Sequence, residues 1–329
     1  MRKTTILPAL LLIMAMFAVA EYSGQKEIIF PEISALALGA WIMEKPPWKG
    51  SVVDFWLSPT LAALTGMLIV RYFSYAPFFM ICAAFCLVVL QLKMLRSSVL
   101  PSISAAILAI ITRSDSWYYP LSVCVLTGVI ALGVWVLGRS NSRKGHVAPF
   151  RKSVPDRAGD LAEAAHWSKL LAGVVAVSGA AVGSGNLFMV APPLIVAFVE
   201  CSSPGGRLRD KSVRILGLLF FAAVSGVLWF ALLHTFLQWP LWVTAGVSTL
   251  TVLLAYHILQ LPFPPAVAIA LLPMILPQAS LWTYPWQVFF GSAAFIAISK
   301  VCFVQGEQVA EASKEAVAET SKTENKAGG

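Results

Sequence analysis

The chain has 329 residues, of which 58% are hydrophobic and 12% charged, against roughly half and about a quarter in a typical soluble domain. That balance excludes a soluble globular protein and indicates an integral membrane protein. The formal net charge of +8 does not point to nucleic acid, because the lysines and arginines fall in short loops between apolar runs, as the positive-inside rule expects.

In chain order, twelve apolar segments follow one another at about 5–20, 28–43, 55–71, 75–95, 99–112, 119–138, 168–184, 187–200, 213–234, 236–258, 262–277 and 282–304. They leave no folded domain outside the bilayer, only loops, a basic linker over 139–167 and a polar tail over 305–329 that is expected to be disordered. A full span needs about 20 apolar residues. The second, fifth, eighth and eleventh segments are shorter and rich in proline, so they are expected to be broken, tilted or re-entrant helices.

If all segments cross, the loops on the N-terminal side carry Lys45, Lys49, Lys93, Arg96, the stretch Arg139 to Arg157, Arg207, Arg209, Lys211 and Arg214. The opposite loops are nearly free of Lys and Arg, apart from Lys26, Arg71 and Arg113. Both termini are therefore expected in the cytoplasm, in a multi-pass protein of the plasma (inner) membrane. Matched re-entrant pairs would keep the termini inside and move the intervening loops; the charge bias favours crossing.

The two halves match in one order. Ser23-Gly24-Gln25 with Pro31 corresponds to Ser184-Gly185-Asn186 with Pro192. Glu44 with Pro46 and Pro47 corresponds loosely to Glu200 with Pro204. Ala62 to Gly66 corresponds to Ala222 to Gly226, Leu87 to Leu90 with Pro101 to Thr251 to Leu254 with Pro265, and Trp117-x-Tyr119-Pro120 to Trp282-x-Tyr284-Pro285. Ordered matches of this kind indicate duplication. The expected architecture is an all-α polytopic membrane protein of two parallel repeats, 1–138 and 168–304, each of about six segments with Pro-interrupted short helices. Arg2-Lys3, an apolar run and Ala18-Val19-Ala20 resemble a secretory signal, but the first run has a partner in the second half, so it is read as part of the first repeat. In the linker, Asp160 to Ala165 is expected to form a short interfacial helix.

Proline in a helix interior removes a hydrogen bond, and lipid cannot satisfy the carbonyl left over. The segments bearing Pro31, Pro101, Pro192, Pro193, Pro264, Pro265 and Pro273 are therefore expected inside the protein. Paired interrupted segments point to a transporter's binding site. The turns Ser23-Gly24-Gln25 and Ser184-Gly185-Asn186 either expose backbone amides to an anion or are simple surface turns.

Ionisable residues within membrane segments are costly and commonly functional. Glu32, next to Pro31, is the clearest, and it is the first candidate for proton coupling. Glu44 and Glu200 are expected to pair near Lys45 and Arg207 at the cytoplasmic interface. His257 aligns with Lys93; both either draw an anion inward or reach for the surface. His234 is expected at an interface. Ser58, Thr60, Thr65, Ser102, Ser104 and Ser225 are candidates for bonds across helices, and the Ala-Ala-x-[Thr/Ser]-Gly stretches permit close helix contact. Trp117, Tyr119, Trp282 and Tyr284 suit an aromatic belt. The cysteines Cys82, Cys86, Cys124, Cys201 and Cys302 form no CxxC and suggest neither disulfide, metal nor redox centre. Neither HExxH, GxSxG nor a phosphate-binding loop is present, so no enzyme activity and no cofactor are expected.

Leu261-Pro262-Phe263-Pro264-Pro265-Ala266, with its flanking apolar runs and the Ala-Ala-x-[Thr/Ser]-Gly helix upstream, resembles the HPP family of integral membrane proteins. Phe263 stands where that family has its histidine, and the first half has only Val99-Leu100-Pro101-Ser102. The resemblance implies a permease for a small anion such as nitrite, with Pro264 and Pro265 as site residues. The expected function is thus a transporter or channel for a small solute, with Ser23, Gly24, Gln25, Pro31, Glu32, Pro101, Ser102, Ser184, Gly185, Asn186, Pro192, Pro193, His257, Pro264 and Pro265 along its pathway. Its expected partners are the lipid bilayer, the solute, and a second copy or another membrane protein. The rival expectation is a non-transporting subunit or scaffold that binds a partner through linker and tail.

Overall fold

A computed structural model describes residues 5–44, 46–48, 50–73, 75–140, 157–203 and 208–303. Lys45, Lys49, Arg207, most of the linker and the tail, all singled out above, lie outside the described residues. Among those described there is no strand. Twelve helices follow the apolar segments in order: α1 (Ile6–Ser23), α2 (Glu32–Ala37), α3 (Val52–Tyr72), α4 (Pro77–Leu95), α5 (Pro101–Thr112), α6 (Tyr118–Ser140), α7 (Arg157–Gly183), α8 (Pro192–Ser202), α9 (Ser212–Trp229), α10 (Leu241–Leu259), α11 (Pro265–Leu271) and α12 (Tyr284–Phe303). α2 continues as a π-helix over Leu38–Ile42, and α9 over Phe230–Phe236.

Eight of these helices are long and apolar enough to cross a membrane; the short ones are α2, α5, α8 and α11. The chain is a multi-pass, all-α membrane protein. Its long helices expose apolar side chains on one side, as Leu7, Leu11 and Val19 do on α1, and Leu121, Val125 and Leu132 on α6. The short helices do not: Pro101 to Ile110, Pro192 to Ser202 and Pro265 to Met274 are buried without interruption. Lipid cannot meet irregular backbone, so segments of this kind must be walled in by protein.

Pro273 does interrupt its segment, where α11 passes into a 3₁₀ turn over Leu272–Met274, but the other prolines act differently from the expectation of interior breaks. Pro101, Pro192 and Pro265 occupy the first turn of their helices, and Pro31 and Pro264 stand at the N-cap. There the missing N–H has no intrahelical partner to lose and the fixed φ is already helical. Each short segment is thus an extended or 3₁₀ stretch leading into a proline-started helix.

The turns after α1 and α7 are built alike. Gly24 and Gly185 adopt φ of 68° and 72°, the left-handed conformation that glycine takes at no cost. The amide of Gln25 donates to Ala20 and that of Gly24 to Glu21, while Asn186 donates to Ala181 and Gly185 to Val182. α7 runs unbroken from Arg157, so Asp160 to Ala165 belongs to its first turns rather than to a separate interfacial helix.

Glycines permit close packing, two of them at matched positions. A Cβ on Gly66 of α3 would lie 2.3 Å from the Ala106 carbonyl oxygen of α5, and one on Gly226 of α9 would lie 2.2 Å from that of Ala270 in α11. Small residues let membrane helices approach backbone to backbone. α1 packs on α10 and α4 on α7; the four short helices touch one another in the cycle α2, α5, α8, α11.

Candidate functional site

The depth of the short-helix ring follows from contacts along α1. At the start of that helix the Thr5 hydroxyl donates to the Trp41 carbonyl at 2.9 Å. Further along, the Phe30 amide reaches the Met16 sulfur at 3.2 Å. The segment 26–42 therefore folds back along the whole of α1, and Glu32 comes directly after the point level with Met16. That places its carboxyl inside the bundle, away from both ends.

Glu32 is 1% exposed. Ser104 of α5 donates to its Oε1 at 2.6 Å, and its Oε2 has no hydrogen-bond partner among the described residues. The Ser102 hydroxyl, one position after Pro101, is equally buried and equally without a partner. The Ser34 hydroxyl is occupied, donating to Pro31 at 2.6 Å. Buried polar atoms in proteins are overwhelmingly paired; both of these orphans lie in first turns of neighbouring helices, and others lie elsewhere in the bundle, Ser202 at the end of α8 among them. The four short helices contain no lysine, arginine or histidine, and Glu32 and Glu200 are their only carboxyls.

First-turn amides in the ring are already engaged. Ile33 and Ser34 donate to Phe30 and Pro31, Ser102 and Ile103 to Val99 and Leu100, Leu194 to Ala191, and Ala266 and Val267 to Phe263 and Pro264. Polar capacity for a ligand at Glu32 therefore comes from side chains.

Both sides of the ring are closed. Towards the Gly24 turn, Phe30 meets Tyr119 edge-on at 6.5 Å and Phe188 meets Tyr284 at 5.9 Å. Tyr119 donates its hydroxyl to the Ala105 carbonyl, and Tyr284 donates to Ile269 at 2.8 Å. These two tyrosines are fully buried, unlike the exposed Trp117 and Trp282; their hydroxyls replace water with helix carbonyls, so they do not belong to a surface belt. Towards Thr5, Trp48 of the α2–α3 connection lies 2% exposed against the backbone of Gly39, where a Cβ would come within 2.4 Å of its ring. Its indole N–H donates to Glu200 Oε1 at 3.0 Å. Glu200 is thus a buried partner of Trp48.

Pro31, Glu32, Pro101, Ser102, Pro192, Pro193, Pro264 and Pro265 all lie buried at the starts of the ring helices. Ser23, Gly24, Gln25, Ser184, Gly185 and Asn186 form the caps of α1 and α7, and the amides that were candidates for anion contact are used there. His257 is exposed on the last turn of α10. Lys93, its counterpart, pairs with Glu163 at 3.3 Å. His234 is half-buried and bonded to the Trp239 carbonyl at 3.0 Å. Phe263 is buried, with its carbonyl receiving the Tyr256 hydroxyl. Thr60 meets Thr127 across helices, and Thr65 receives Gln91, whereas Ser225 bonds within its own helix. All five cysteines are free. A groove of about 220 Å³ between α3 and α4 is lined by Ile69, Phe73, Tyr75, Phe79, Met80 and Leu87; being apolar, it offers nothing to orient a polar solute.

The chain matches no family model, no curated protein and no solved structure.

Proposed function

We propose that the protein is a transporter for a small solute, whose pathway passes through the ring of α2, α5, α8 and α11. The observation that carries this reading is the buried Glu32–Ser104 pair with the unpartnered Ser102 hydroxyl, set mid-depth where proline-started helices meet. Intramembrane polar groups of this kind are costly and mark solute or ion paths. Discontinuous helices meeting inside the bundle are the usual frame of such a site.

Two parallel units, α1–α6 and α7–α12, fit the contact pattern. Exchanging the units turns the α1–α10 contact into α7–α4, and α2–α11 into α8–α5. The glycine caps, the Gly66 and Gly226 contacts and the Tyr119 and Tyr284 hydrogen bonds recur in the same order. Six crossings per unit keep both termini on one side, which the positive-inside rule makes cytoplasmic.

The solute is a small anion by resemblance to the HPP family, and nitrite is the first to try. Flux into proteoliposomes of purified protein, with nitrite, nitrate, formate, chloride and small neutral solutes, tests this. Saturable flux that is lost in Pro264→Ala/Pro265→Ala is expected. Folded protein that moves none of them would transfer the reading to a partner-binding subunit.

A further inference from the structure

The geometry points to a rule of charge at the ring: a small monovalent oxoanion is taken only together with a proton, carried by Glu32, so that each turnover moves no net charge. This rests on the transport reading above and specifies its ligand class. An anion needs donors or a countercharge. The four short helices hold no basic side chain, and the amides of their first turns are bonded locally. What remains at the Glu32 carboxyl itself is its free oxygen. Ionised, Glu32 would face the anion as a like charge with no cation to offset either, in a site closed to water. Protonated, it becomes an O–H donor to one oxygen of a nitrite or carboxylate.

The ring's second carboxyl, Glu200 on α8, receives the Trp48 indole N–H, and the elements packed on α2 supply no further carboxyl to the ring. Packed against α2 are α11 and α5, neither with an ionisable group, and α1, whose Glu21 is bound at the outer end to the Leu241 amide at 2.8 Å. α6 contributes Tyr119, and α12 places Tyr284 within electrostatic reach of Glu32; both phenols already donate to carbonyls. Lys26 and Glu27 stand on the 3₁₀ turn before Phe30, a turn that packs on α1 and α6 rather than on α2. A proton binding at Glu32 and leaving with the anion balances the cycle without any further reactant.

The test loads proteoliposomes with a pH-sensitive dye and supplies nitrite, then formate, with protein-free vesicles subtracted. One proton per anion is expected, with a rate that does not change when a potassium diffusion potential is imposed. In Glu32→Gln the proton count per anion should fall to zero. Anion flux that follows the imposed potential, or an unchanged proton count in Glu32→Gln, overturns the proposal. Detergent-solubilised protein mixed with nitrite in weak buffer separates this from the transport reading. Proton uptake on binding without flux would contradict transport alone, whereas binding without proton uptake would contradict the charge rule.

Discussion

α2 and α8 begin in the same way and diverge after the starting proline. Each follows a long helix closed by a left-handed glycine, Gly24 or Gly185, and each starts at a proline, Pro31 or Pro192. The next residue is Glu32 in α2 and Pro193 in α8. The glycine cap and the proline start recur in the two helices, whereas a carboxyl in the first turn is found in α2 alone. Trp48 and Glu200 show the same asymmetry, since one connection alone is seen to send an indole onto the ring.

The largest effect is expected where the two helices differ. Glu32→Gln should lower uptake at least about tenfold, the consequence of about 1.4 kcal/mol on a barrier, and remove its dependence on pH. Uptake and pH dependence that both persist would remove Glu32 from the pathway. Where the helices agree, equal effects are expected. Gly66→Val and Gly226→Val each force side chain into a neighbouring backbone and should cost about 1–3 kcal/mol or more, read as matching losses in detergent thermal stability. A loss at only one glycine would break the equivalence of the two units.

Trp48→Phe keeps the ring but leaves Glu200 Oε1 buried without its donor, a cost of about 1–3 kcal/mol. It should loosen the closure at that end, seen as faster labelling of a cysteine placed at Ser102. Smaller still, Tyr119→Phe and Tyr284→Phe each remove one hydrogen bond, worth about 1 kcal/mol, and the shifts should be alike in the two. Lys93→Ala breaks a pair whose members are 37% and 55% exposed, so its effect should stay within about 1 kcal/mol.

Hydropathy and proline placed the twelve segments and singled out the four that are short, because length and burial in lipid are local properties of sequence. Glu32, too, stood out, as a carboxyl inside an apolar run. Its partner Ser104 is 72 residues away, and a serine in a membrane segment carries no mark of which helix it will face. The prolines were legible as interruptions but not as helix starts, since the same residue serves either role and only the path of the preceding backbone decides. Ser23-Gly24-Gln25 and Ser184-Gly185-Asn186 could be read as anion turns or as simple surface turns, because glycine next to small polar residues suits both a cap and a nest; the carbonyls of Ala20 and Ala181 claim the amides of Gln25 and Asn186. Trp48 could have been noticed as a tryptophan in a connection with two prolines, an odd place for a large apolar ring unless it is covered.

The central claim is that the buried ring is the solute's path, and access to Ser102 tests it most directly. A Ser102→Cys variant, with the five native cysteines replaced, would be treated in membranes with a membrane-impermeant thiol reagent, with Ser184→Cys as an exposed reference. The account predicts that Ser102→Cys reacts more slowly than the reference and is protected by a transported anion. Labelling of the reference with no reaction at Ser102→Cys under any condition would mean that the ring never opens to water, and would contradict the account.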